Sequence, residues 1–245
     1  MAWDVDIAEV GGLLAEPARC RILLALADGR ALPASLLAHE AHVAPSTASG
    51  HLARLIDAGW IDVEAHGRYR YYRLVNDDAA EILEVASRLA PPEPVTSLSG
   101  DLERRRLRRA RTCYRHLAGR LGVELLATFA REGWVDGHDG SFRDGVDQLS
   151  APARDTIYQV TDAGAERLAA LGVDIEPGAG TRHCVDWSEQ RHHLGGVLGA
   201  RVADRLFALG WVERHPAGRA VTITESGARA LADELGLDLA RLDPA

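Results

Sequence analysis

Two groups of residues in this 245-residue sequence carry side chains suited to chemistry. The first is Ser46, Thr47, Ser49, His51 and Arg54, followed by Arg68, Tyr69 and Arg70. Hydroxyls donate and accept hydrogen bonds and guanidinium groups pair with phosphates, so this set suits contact with a nucleic acid. The second is Cys113 with His116 and, farther on, Cys184, Asp186, Trp187 and His193, accompanied by His183 and His192. Thiolates and imidazoles ligate soft or borderline cations such as Zn²⁺. Trp187 beside Asp186 and Glu189, with Arg191 nearby, offers a different reading: the lining of a pocket for a small polar or aromatic ligand.

The first group needs a helix and a hairpin to position it. Leu52, Leu55 and Ile56 recur at the spacing of one buried helical face, which leaves Ser46, Thr47, Ser49 and Arg54 largely on the other side. Pro45 suits the first turn, where its missing N–H costs nothing, and Gly59 stands where a left-handed residue ends a helix. The period then changes from 3.6 to 2. Ile61 and Val63 alternate with Asp62 and Glu64, and a basic, aromatic strand with Tyr69, Arg70, Tyr71 and Arg73 returns after a glycine turn. With a further helix from Leu32 to His42, the order is helix, tight turn, helix, hairpin. That is a winged helix-turn-helix, in which the second helix enters the major groove and the wing reaches backbone or minor groove.

The residues resemble the ArsR-type (ArsR/SmtB family) bacterial winged-helix regulators. The likeness rests on Pro17-Ala18-Arg19-Cys20-Arg21-Ile22-Leu23, Ser46 to Leu52, Leu55 to Ile61, and the wing Gly67 to Leu74. The resemblance implies a homodimer or higher homo-oligomer on a double-stranded DNA operator, with repression relieved by an effector. Many such regulators sense metals through a Cys-x-Cys pair on the third helix or an Asp/His site on the helix after the wing. This chain has Ala34-Ser35-Leu36-Leu37-Ala38-His39-Glu40 at the first place and no histidine from Asn76 to Arg88, so neither site carries over.

A formal net charge of −8 runs against DNA binding, but affinity follows the phosphates that a local surface neutralises. Arg54, Arg68, Arg70 and Arg73 concentrate where the reading needs them. Three cysteines without paired spacing argue against a disulfide framework, and no apolar run is long enough for a membrane span. The expectation is a cytoplasmic protein with no membrane association. Catalysis by Cys113 or Cys184 with a neighbouring histidine lacks any recognisable oxyanion loop or orienting triad, so the chain is not expected to be an enzyme.

The expected fold class is mainly α with small β-hairpins (α+β): a DNA-binding domain over 1–90, a linker over 91–101 and a regulatory or assembly domain over 102–245. Asp4 to Ala15 and the stretch from Pro17 to Asp28 read as the first two helices, with Cys20 as a small core residue. Glu103 to Arg120 reads as an arginine-dense helix, solvated or dimer-facing, or else a second contact with DNA or an acidic partner, with Cys113 and His116 on one face at i and i+3. The last domain repeats itself. His116 to Gly122 and Gly133-Trp134-Val135 align with His193 to Gly199 and Gly210-Trp211-Val212 at a constant offset of 77. Two degenerate winged-helix-like repeats follow, about 102–174 and 183–238. Because His116 and His193 occupy equivalent positions, a shared packing role stands beside the metal reading. The function expected is a sequence-specific DNA-binding regulator, a repressor released by an effector in the C-terminal domain; the alternative is a winged-helix protein-interaction platform with only non-specific DNA affinity.

Overall fold

The computed structural model describes residues 5–66, 69–75, 77–91, 98–141, 158–215 and 218–243. The chain divides into two compact units, Met1–Leu83 and Glu84–Ala245.

The first unit begins with α1 (Ile7–Leu14), capped by Asp6, whose side chain accepts from the N–H groups of Ala8 and Glu9. Its far end has no basic residue in the last turn, and Arg19 from α2 (Pro17–Leu26) supplies the cation, donating to the carbonyls of Gly12 and Leu13. Leu32–Pro33 form β1 and Ala34–Glu40 form α3, so the expected helix from Leu32 starts two residues late, its first residues being drawn into pairing with Tyr72 and Tyr71. Then come α4 (Pro45–Asp57), β2 (Ile61–His66), β3 (Tyr69–Leu74) and α5 (Asp77–Leu89), which runs past Leu83 into the second unit, the sheet running in the order β1-β3-β2. Gly59, at φ 73°, ends α4 as the sequence requires, with Gly59 N donating to Ile56 O and Trp60 N to Leu55 O. Ile22, Leu23, Leu26, Leu37, Leu52, Leu55, Ile61 and Tyr72 close the core beneath this frame. Cys20 is half-buried rather than a core residue.

The second unit departs from the expected long arginine-rich helix. Its α6 spans only Leu98–Arg109; β4 (Arg111–Cys113) and β5 (His116–Ala118) form a hairpin before α7 (Gly119–Arg131) begins. The helix stops because the backbone finds distant partners: Thr112 N donates to Arg219 O, and Ala110 O accepts from Val221 N. Downstream lie β6 (Val135–Asp136), β7 (Tyr158–Val160), α8 (Asp162–Leu171), β8 (Gly180–Thr181), β9 (His183–Val185), β10 (His192–Leu194), α9 (Gly196–Ala208), β11 (Val212–Arg214), β12 (Val221–Ile223), α10 (Glu225–Asp233) and a 3₁₀ turn at Leu239–Leu242. All the pairings are antiparallel: β4 with β5, β6 with β7, β7 with β8, β9 with β10 and β11 with β12. Leu121, Leu125, Phe129, Trp134, Tyr158, Leu198, Val202, Leu206 and Trp211 belong to one continuous core. Among the described residues no helix is long and apolar enough to cross a membrane.

Candidate functional site

In the first unit, α4 buries Ala48, Leu52 and Leu55 and turns Ser46, Thr47, Ser49 and Arg54 to solvent. The N-cap residue is Ala44, which makes no side-chain cap, so Ser46 is not consumed by capping; nor is Thr47 packed inside. Ser49 Oγ donates to Pro45 O at 3.0 Å and keeps its acceptor capacity outward. His51 is half-buried. The first turn of α4 therefore presents hydroxyls and orphan N–H groups together, the combination that fits base edges and phosphates.

The wing pairs Ile61 with Leu74, Val63 with Tyr72 and His66 with Tyr69. Tyr72 packs inward, Tyr71 is half-buried, and Tyr69 and Arg70 are exposed. Arg73 lies 3.6 Å from Asp62 across the hairpin, an exposed pair that leaves Arg70 as the outward wing cation among the described residues. Arg68, expected at the tip, lies outside the described residues.

The sequence of this unit has counterparts in known proteins. The family described as bacterial regulatory protein, arsR family, matches residues 16–63, which span α2 to the start of β2. An uncharacterized HTH-type transcriptional regulator of Bacillus subtilis (strain 168), YdfF, is 38% identical over 239 residues, covering 96% of this chain and 99% of its own length. The chain belongs to the arsR family of HTH-type transcriptional regulators. It is a DNA-binding regulator of transcription. The regulator CmtR of Mycobacterium tuberculosis (strain ATCC 25618 / H37Rv) is 39% identical over 77 residues, which is 31% of this chain and 64% of CmtR. Among solved structures, the homodimeric winged helix-turn-helix DNA-binding domain Mb0332 of Mycobacterium bovis is 28% identical, with a TM-score of 0.31, over 36% of this chain and 89% of that one.

The arsR-family match falls within the first unit; the second group of candidate residues lies in the second unit. Cys113 and His116 do not share a helical face. They oppose each other across the β4–β5 hairpin, whose turn places Tyr114 in the left-handed region at φ 54°. Cys184 and His193 oppose each other in the same way across β9–β10. Ligating atoms of these four side chains lie within 4.8 Å of one another, with Cys184 Sγ 3.9 Å from His116 Nε2. A hydrogen bond with Cys184 and burial push the Cys113 thiol up to about 12, so it is held protonated and is a poor nucleophile.

Asp186 sits behind this cluster, wholly buried, 3.7 Å from His193 Nδ1. Its carboxylate accepts from Arg111 Nη2 at 2.9 Å, from Gly119 N at 2.6 Å and from both the N–H and hydroxyl of Ser188. Burial alone raises a carboxylate's pKa, but the Arg111 guanidinium, with His193 and the Ser188 hydroxyl, holds Asp186 well below the usual range. Arg111 also lies 4.5 Å above the Trp187 ring. Asp186 and Trp187 thus close around Arg111 instead of lining an open pocket. The described cleft, about 300 Å³, is elsewhere, between Trp134, Arg167, Leu171, Asp233 and Leu235.

Sequence reasoning missed Arg111. It stands within a run of arginines that reads as solvated, yet its side chain is entirely buried. It also missed that the two faces of β9–β10 carry separate histidine groups. His183 and His192 stack at 4.0 Å, and Tyr158 Oη lies 2.8 Å from His192 Nδ1, with His138 alongside. The alternation His183-Cys184 against His192-His193 was the available signal, since successive strand residues point to opposite faces.

Proposed function

We propose that this regulator works as a homodimer on a pseudo-palindromic duplex operator and that its second unit carries the effector site that releases it. The observation that carries the DNA reading is the first turn of α4, where Ser46, Thr47 and Ser49 are exposed and none serves as N-cap, opposite the buried Ala48, Leu52 and Leu55. Helix α4 lies in the major groove, its hydroxyls contact base edges or phosphates, Arg54 holds backbone, and Arg68 and Arg70 of the wing grip phosphate or minor groove, with Tyr69 beside them.

Two related halves in the second unit suit a regulatory and assembly role better than further DNA reading. Supporting this, Thr161 accepts from Gly164 N and bonds the carbonyl of Gly133, while Thr224 accepts from Gly227 N and bonds the carbonyl of Gly210. Each half thus enters its last helix through the same capping geometry. No enzymatic activity is proposed: the Cys113 thiol is buried, and its hydrogen bond with Cys184 and its burial push its pKa up.

The test is binding to the DNA upstream of the protein's own gene across a salt series. Tight, competitor-resistant binding that a Ser46→Ala, Arg54→Ala, Arg70→Ala triple variant loses supports the reading. Equal affinity for unrelated DNA, or an unaffected triple variant, overturns it.

A further inference from the structure

The two hairpins that precede α7 and α9 place their Cys–His pairs against each other. Helix α7 carries Gly122, where an added Cβ would lie 3.3 Å from the Cβ of His193; helix α9 carries Gly199, where it would lie 3.0 Å from the Cβ of His116. Each helix thus makes room for the other hairpin's histidine. Cys113, His116 and His193 are buried and Cys184 is half-buried. His193 is 1% exposed, and among the described residues neither of its ring nitrogens has a hydrogen-bond partner. Buried polar groups are seldom left so. The Asp186 carboxylate, 3.7 Å from Nδ1, stands where the carboxylate stands behind metal-binding histidines, which ligate through their other nitrogen.

We infer that Cys113, His116, Cys184 and His193 form a closed four-ligand site for one tetrahedral cation of the Zn²⁺ class, clasping the two hairpins of the second unit. Two sulfurs and two imidazoles are the donor set of borderline-soft ions and not of Mg²⁺ or Ca²⁺. Ligand bonds of about 2.0–2.3 Å give a tetrahedron with edges of roughly 3.3–3.8 Å. The longest present separation of 4.8 Å therefore closes by about 1 Å on binding, within reach of side-chain rotation. Each thiol gives up its proton as its sulfur binds. Four protein ligands fill a tetrahedral ion, so the site is structural or sensing and not hydrolytic. The inference stands apart from operator recognition, because its readouts are metal content and ligand spectra.

The test uses the full chain, reduced and stripped with chelator, then titrated with Zn²⁺ and separately with Co²⁺. The expected result is one equivalent per chain. The cobalt form should show the intense visible bands of a tetrahedral centre and sulfur-to-cobalt charge transfer in the near ultraviolet. Cys113→Ser and His193→Gln should each lower affinity at least about 100-fold, while Cys20→Ser should keep full uptake. Should a ligand variant not fold, the unsubstituted chain still decides: its Tm rises on adding Zn²⁺ if the site is real. A pale octahedral cobalt spectrum, uptake well below one equivalent, or an unchanged Tm overturns the inference. So does a Cys113–Cys184 disulfide whose reduction yields no zinc binding.

Discussion

The imidazoles of His116 and His193 lie with ring centroids 5.3 Å apart, each on the last strand of a hairpin that leads into a long helix. Each stands opposite a cysteine, and each is approached by a glycine of the other helix. Two like hairpins thus meet in the second unit, and its polar residues are held by neighbours remote in sequence. Both features have measurable consequences.

The ion pair between Arg111 and Asp186 is fully buried. Removing one partner strands the other's charge, so Asp186→Ala should cost about 3–5 kcal/mol of the second unit's stability. Urea unfolding checks this. The double substitution Arg111→Met, Asp186→Leu should cost clearly less than the sum of the single ones, because it removes both charges together.

Acid sensitivity follows from two carboxylates. Burial works against ionisation of Glu84, but the Arg219 guanidinium that donates to it, with Arg111, holds its pKa below the ordinary 4.5; Asp186 is likewise held below its ordinary 3.8. Depressed acids stabilise the fold fully above their unfolded pKa values, and that contribution is lost as pH falls through the folded values. Urea midpoints should stay level down to about pH 5 and then decline toward about pH 3. Glu84→Gln should start from a lower midpoint and show a shallower acid-side decline.

Two glycines should respond oppositely to alanine. At Gly122 the added methyl would sit 2.3 Å from the Leu117 carbonyl oxygen, a backbone atom that cannot swing aside, whereas at Gly50 nothing lies within 4 Å. Gly122→Ala should destabilise by about 1–3 kcal/mol. Gly50→Ala, in the interior of α4, should stabilise by about 0.5–1 kcal/mol. Thermal melts of the two variants test the contrast.

The wing cation should be visible in salt dependence. If Arg70 neutralises one phosphate, Arg70→Ala lowers the slope of log affinity against log salt by roughly one unit. It should weaken binding to matched and mismatched DNA alike, since backbone contacts carry little sequence information. A Ser46→Ala variant should instead narrow the gap between them. Electrophoretic shift titrations at several salt concentrations measure both.

The first unit was legible in the sequence because its signals are local. The stripe Leu52, Leu55 and Ile56, the proline that opens α4, the glycine that ends it and the change to a two-residue period each act within a few residues, and the structure places them as read, save that Ile56 is half-buried. The exposed face of Ser46, Thr47, Ser49 and Arg54 follows from the same periodicity. The second unit was not legible in this way. Cys113 and His116, three apart, are neighbours on a helix and across a two-residue turn alike, so their closeness was readable but the element that produces it was not. What settled it were backbone partners at Arg219 and Val221, far along the chain. Arg111 makes the point most sharply. Nothing within its run of arginines sets it apart, and only the burial of Asp186, 75 positions away, gives a charged side chain reason to lie in the core. Local periodicity determined which residues of α4 face solvent; the pairing of distant charges and strands, which periodicity does not encode, determined where the cysteines and histidines meet.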